Sequence, residues 1–248
     1  MSTLASILEN SKPSNENTKL SNGYVLFEGQ SPVNGENIVG ILTIKTTNKK
    51  TGQMAQLWIL NADIDPVDAK KQGKDESVCG ACKLRQSLGG ACYVNLGHAP
   101  KQVYKAYKRG IYKPVSRKGF AIFTGLSIRF GAYGDPAMLP VDILATLKSV
   151  AKNNTSYTHQ WAEKNTDMVL KSLSMASVDN IEEQKIASDN GWRTFRVANI
   201  DSEVLENEIV CPNVTKGITC LECKLCGGAS VKAKNIVIPV HGTFKKRF

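Results

Sequence analysis

Ala121-Ile-Phe-Thr-Gly-Leu-Ser-Ile-Arg-Phe130, followed by Pro140-Val-Asp-Ile-Leu-Ala-Thr-Leu-Lys-Ser-Val-Ala151, is the pair of segments on which the fold turns. The first is β-branched and apolar, the composition of a strand. The second has proline at its start, apolar residues at helical spacing and Asn153-Asn154 at its end, which reads as an amphipathic helix. The same alternation continues downstream. Ser156-Tyr-Thr-His-Gln-Trp161 and Val169-Leu-Lys-Ser-Leu-Ser-Met-Ala176 read as strands, and Ile181 to Ser188 as a helix stopped by Asn190-Gly191. Arg193 to Ala198, Glu208 to Val210 and Ile236 to Val240 complete the set. Strands alternating with helices about every twenty residues predict βαβ units, a parallel sheet and an α/β fold closed as a barrel or partial barrel.

In a parallel arrangement the strand C-termini lie on one face, where active sites are built. Here they carry Tyr133 and Asp135, His159 and Gln160, Ser177 and Asp179, Asn199 and Asp201, Cys211, and finally His241. Asp135, His159 and His241 are the candidate catalytic groups. Each alone also suits a cap, a turn or a buried structural histidine.

Upstream, Tyr24 to Phe27, Ile38 to Lys45 and Gln56 to Leu60 read as a small antiparallel meander, with Asn48-Lys-Lys-Thr-Gly52 as a turn. Asp65-Pro66 opens a short helix. The chain therefore divides into a flexible leader over 1–22, a β-rich segment over 23–78, a cysteine-rich basic segment over 79–118 and a barrel-like domain over 119–248. The segments from 23 onward are expected to form one unit. The leader is polar and lacks a basic start and a long apolar stretch, so it reads as neither signal peptide nor anchor. No run is long enough to span a bilayer, and a cytoplasmic location is the expectation.

Cys211-Pro-Asn-Val-Thr-Lys-Gly-Ile-Thr-Cys220-Leu-Glu-Cys223-Lys-Leu-Cys226-Gly-Gly puts four thiols within reach of one inorganic centre. Buried structural cysteines are normally scattered singly, and C-x-x-C-x-x-C is too crowded for two ordinary disulfides. A C-x2-C-x2-C run with a remote Cys-Pro matches the ligand set of a 4Fe–4S cluster. Structural zinc, which prefers two separated pairs, is the alternative. Cys79, Cys82 and Cys92 form a second group that is one ligand short. It reads as an open three-cysteine cluster, as a closed centre completed by His98, or as metal-free.

The chain has 248 residues and a net charge of +10. Residues 79–134 hold ten basic side chains and no acidic one, so the whole excess sits there. Such a block suits an anionic partner, nucleic acid or a phosphorylated small molecule, although a solvated basic face reads the same way. Lys101, Lys105, Lys108, Arg109, Lys113, Arg117 and Lys118 are its candidate contacts. Pro100 to Gly110 reads as a helix with Val103, Ala106 and Tyr107 inward and Tyr104 among the lysines, available for stacking or packing.

Arg129-Phe-Gly-Ala-Tyr-Gly-Asp-Pro136, Tyr157-Thr-His-Gln-Trp161, Met175-Ala-Ser-Val-Asp179, Gly191-Trp-Arg-Thr-Phe-Arg-Val197 and the cysteine stretch through His241-Gly242 resemble an uncharacterised family of small bacteriophage and mobile-element proteins. More broadly, a partial β/α barrel with cysteine clusters is similar to radical S-adenosylmethionine enzymes. That resemblance implies a reactive 4Fe–4S cluster on Cys79, Cys82 and Cys92, with Tyr93 as the neighbouring aromatic, and an auxiliary cluster on Cys211, Cys220, Cys223 and Cys226. Arg129, Arg196 and Tyr93 would then contact cofactor. The spacing C-x2-C-x9-C departs from the C-x3-C-x2-C usual there. The leading expectation is an iron–sulfur enzyme of non-classical, radical type acting on a nucleotide or nucleic acid. A nucleic-acid-binding protein with structural zinc or iron–sulfur centres is the second, and a zinc hydrolase built on His159, His241 and Asp135 the third.

Overall fold

The structure is a computed structural model that describes residues 21–248. The leader expected over 1–22 therefore lies almost wholly outside the described residues. β1 (Gly23–Gln30), β2 (Asn37–Thr43) and β3 (Ala55–Asn61) form the antiparallel meander expected from their alternating apolar runs. α1 (Pro66–Lys71) follows, with Asp65 accepting from the Val67 amide and Pro66 in its first turn, then α2 (Glu76–Cys79) and α3 (Ala99–Lys108). After the short β4 (Lys113–Pro114) come β5 (Ser127–Tyr133), α4 (Val141–Val150), β6 (Asn153–Thr158), α5 (Leu170–Leu173), β7 (Met175–Val178), α6 (Ile181–Asp189) and β8 (Thr194–Ala198). The chain ends with β9 (Glu208–Val210), α7 (Pro212–Lys216), α8 (Cys220–Cys223) and β10 (Asn235–Pro239).

All ten strands join one open sheet in the order β4-β1-β2-β3-β5-β6-β7-β8-β10-β9. From β3 to β9 every neighbouring pair is parallel. β3 is buried at all seven positions, as a strand covered on both faces should be. β10 inserts between β8 and β9, which sets Cys211 and His241 at adjacent parallel strand ends; the Cys211 amide donates to the Val237 carbonyl at 2.8 Å. α4 buries Ile143, Leu144 and Leu147 on the face turned to the core. No helix among the described residues is long and apolar enough to cross a membrane.

Three local expectations are corrected. Residues 117–123 coil as a 3-10 helix that buries Phe120 and Phe123, so the strand read from Ala121 starts only at Ser127. Leu170 and Leu173, three apart and both buried, make a turn of helix where a strand was expected from Val169. Asn153 and Asn154 open β6 instead of ending the helix, because the buried Asn154 side chain donates to the Leu173 carbonyl and accepts from Lys148.

Gly134 shows how tightly the end of β5 is held. Its φ is +82°, and a Cβ there would stand 2.6 Å from the Ile59 carbonyl oxygen. Its neighbour Asp135 donates its amide to the Val78 carbonyl at 2.7 Å, joining β5 to α2. Gly134→Ala combines left-handed strain of about 1–2 kcal/mol with overpacking of about 1–3 kcal/mol. A clear fall in the urea midpoint is expected, and an unchanged midpoint would mean that this turn relaxes freely.

Candidate functional site

The C-terminal ends of the parallel strands open onto a cavity of about 230 Å3. Tyr133 and Asp135 reach it from β5, His159 from β6, Ser177 from β7, Cys211 from β9 and His241 from β10. Cys79, Cys82 and Cys92 come to it from the other side, with Tyr93, and Cys220 lines it from α8. The two cysteine groups, well over a hundred residues apart in sequence, thus share one cavity. Cys223 and Cys226 are not among its lining residues, nor are Asp179, Asn199, Asp201 and Arg196.

α2 ends at Cys79, and the chain then turns through Gly80 at φ +52°. A Cβ on Gly80 would stand 2.4 Å from Gln160 Oε1. Gln160 clamps this turn: its Oε1 accepts from the Ala81 amide at 3.1 Å, and its Nε2 donates to the Cys79 carbonyl and to Asp135, both at 3.2 Å. Asp135 also accepts from the amides of Ala137 (3.0 Å) and His159 (2.7 Å). Its carboxylate is occupied by three N–H groups, which makes it a positioning residue for the turn and for His159.

His159 Nε2 stands 3.8 Å from Cys82 Sγ and 3.8 Å from Asp179 Oδ1. Burial alone would lower the His159 pKa, but the neighbouring Asp179 and Cys82 outweigh it and raise it to about 10. His98, which one of the three readings of this cysteine group made its fourth ligand, lies exposed at the start of α3. His159 is the one that faces a cysteine. Burial pushes the Cys79 thiol well above its usual range and the Cys92 thiol up to about 11.

The C-terminal group is held differently. Thr219 and Glu222 form a capping box at the start of α8. The amides of Cys220 and Leu221 donate to the carbonyls of Lys50 and Thr51, at 3.0 and 3.1 Å, fastening α8 to the turn between β2 and β3. Lys224, at φ +59°, turns the chain between Cys223 and Cys226. Arg193 then ties the following loop by donating to the carbonyls of Leu225, Gly228, Ala233 and Lys234. Cys226 is buried, and burial raises its thiol to about 12. A tyrosine stands beside one cysteine of each group, Tyr133 near Cys79 and Tyr157 near Cys226, and burial raises both phenols well above their usual range. Groups beside a ligating sulfur tune a bound metal.

The expectation that Arg196 contacts cofactor is corrected. It does not line the cavity, and its Nε and Nη2 are engaged with the buried Glu208 carboxylate, at 2.8 and 2.6 Å, and with the Glu203 carbonyl. In the basic segment Tyr104 is buried, so its ring is not offered for stacking, while the half-buried Tyr107 donates its hydroxyl to Glu28 at 2.6 Å. Ala106, expected inward, is only partly covered. Lys101 pairs with Asp65, Arg117 with Asp142, and Lys108 donates to the Ala62 carbonyl. Lys105, Arg109, Lys113 and Lys118 are exposed, with no carboxylate partner among the described residues.

All seven cysteines are free thiols. No group of three or more His, Cys, Asp or Glu side chains among the described residues stands close enough around one point to hold a metal ion, so a metal would have to draw the sulfurs together. The donor chemistry fits iron–sulfur or zinc: soft sulfur ligands, six half-buried and Cys226 buried, with tyrosines near two of them. Comparison with known proteins adds no relative, since no family model, curated protein or solved structure matches the chain significantly.

Proposed function

We propose that the chain is an iron–sulfur enzyme whose active site is the cavity between the two cysteine groups. The observation that carries this reading is the convergence of Cys79, Cys82, Cys92, Cys211 and Cys220 on one cavity that is also lined by His159, His241 and Arg129. Purely structural centres have no need to share a cavity. Cys79, Cys82 and Cys92 would hold one 4Fe–4S cluster, and Cys211, Cys220, Cys223 and Cys226 a second. Such clusters supply single electrons when bound. The first group has one ligand fewer, which leaves room for a cofactor such as S-adenosylmethionine in the radical-type chemistry that the resemblance implies. The parallel strands would act as a partial barrel whose mouth is this cavity.

The chain's own residues do the rest. Asp135 and Gln160 fix the Cys79 turn and the backbone of His159. Tyr133 and Tyr157 line the cavity beside the sulfurs, and Phe195, Val197 and Ile238 give it an apolar wall. The substrate on this reading is a nucleotide or nucleic acid, supported by the basic block over 79–134.

Iron, sulfide and zinc content of protein purified without oxygen tests the reading. About eight iron and eight sulfide per chain are expected for two cubane clusters. Zinc without iron would sink it. The second reading, structural centres in a nucleic-acid-binding protein, is favoured by Lys105, Arg109, Lys113 and Lys118, exposed and without a carboxylate partner among the described residues. It requires binding that weakens steeply with salt as counterions are released.

A further inference from the structure

Three arginines are buried among the described residues, and the protein treats them differently. Arg196 has the Glu208 carboxylate, and Arg193 has four backbone carbonyls. Arg129, 9% exposed, has only the hydroxyl of Tyr93, and its Nε has no partner at all. A buried guanidinium without a counter-charge is strongly unfavourable, since little water reaches it and nothing replaces the lost hydration.

A second cation stands at the same cavity. Lys50 Nζ donates to His241 Nε2 at 2.8 Å, while His241 Nδ1 contacts the Pro239 carbonyl at 3.0 Å. This pairing makes Nδ1 the protonated nitrogen and leaves the imidazole neutral. The His241 ring stacks on Tyr93 with centroids 5.0 Å apart, so Arg129, Tyr93, His241 and Lys50 form one continuous wall. That wall bears two positive charges. Neither cation has a carboxylate partner among the described residues, and no cysteine sulfur lies within hydrogen-bond reach of either. The rest of the lining is largely apolar, with Tyr133, Tyr157, Phe195 and Ile238.

We propose that Arg129 and Lys50 are the anion-binding end of the cavity and take the phosphate or carboxylate of a small ligand whose apolar body lies along Tyr157 and Phe195. Arg129 offers the free donors, and Lys50 closes on the anion from the mouth. Tyr93 and His241 hold the two cations in place as positioning residues. This deepens the reading above: it rests on the cavity being a ligand site and is independent of which metal the thiols hold.

The test is calorimetric titration of the full chain, purified without oxygen, with inorganic phosphate and separately with sodium acetate. Saturable binding of at least one of them is expected, weakened about tenfold or more in Lys50→Ala and lost in Arg129→Met. Lys50 is exposed, so its variant keeps the test meaningful should Arg129→Met fail to fold. Stronger binding of phosphate identifies a phosphorylated ligand, and stronger binding of acetate a carboxylate. No binding of either, or binding unchanged in Lys50→Ala, overturns the proposal. So does an Arg129→Met protein that loses iron while the wild type binds no anion, because Arg129 would then serve as counter-charge to the cysteine group. Iron and sulfide measured on the same samples separate the two ideas: anion binding by a protein that carries zinc would keep this site and remove the iron–sulfur reading.

Discussion

Glu208→Ala is expected to cost about 3–5 kcal/mol of stability, the usual effect of removing one partner of a buried ion pair. Glu208 and Arg196 are 0% and 3% exposed in their side chains and meet at 2.6 Å. Glu208 also accepts from the Leu205 amide at 3.1 Å, so the carboxylate holds the loop before β9 as well as the arginine. Against a typical total of about 5–15 kcal/mol, the loss is about a fifth or more of what keeps the chain folded. Urea unfolding followed by fluorescence reads it directly. The double variant Arg196→Met with Glu208→Leu should recover much of the loss, because an apolar pair of similar volume often replaces a buried ion pair at little cost. Equal damage in the single and double variants would mean that the pair does more than neutralise itself, and would reopen a ligand-binding role for Arg196.

Cys79→Ala and Cys220→Ala should each remove about half of the bound iron, on the expectation of two four-iron clusters. Cys79 belongs to the turn clamped by Gln160, and Cys220 to the helix fastened by Lys50 and Thr51, so the two groups rest on separate supports. Loss of one set of ligands should therefore leave the other backbone standing. The electron paramagnetic resonance spectrum of the reduced protein should simplify to a different single signal in each variant. Complete loss of iron in both would show that one centre bridges the cavity and draws on both groups.

Much of the architecture was legible because it rests on local patterning. β2 and β3 announce themselves by β-branched runs, α1 by Asp65-Pro66, and α6 by its stop at Asn190-Gly191. The strand ends, once the sheet was read as parallel, brought Tyr133, Asp135, His159, Ser177, Cys211 and His241 to one place. Where reading failed, packing had overruled local composition: Leu170 and Leu173 look like strand residues but are buried three apart, as a helical turn requires.

The supports of the site were not legible at all. Lys50 sits in a turn that looks like solvent-facing punctuation, yet its carbonyl holds Cys220 and its side chain meets His241. Gln160 looks like one polar residue among several after a strand. Arg193 stands just before β8 and Arg196 three residues on within it, yet one satisfies carbonyls and the other a carboxylate. Nothing in their spacing separates them from Arg129. Such partnerships span long stretches of chain, so a single sequence carries no periodic signal for them.

The fastening of α8 to the turn between β2 and β3 also bears on the order of assembly. Lys50 and His241 lie 191 residues apart, and the Cys220 amide finds its acceptor on Lys50 only after nearly every strand has been made. On a ribosome the meander emerges well before its partner and must wait for it. Contacts of such separation form late and slowly. The C-terminal thiols are therefore set in place only when α8 reaches the meander, so metal loading there would report that these two distant segments have docked.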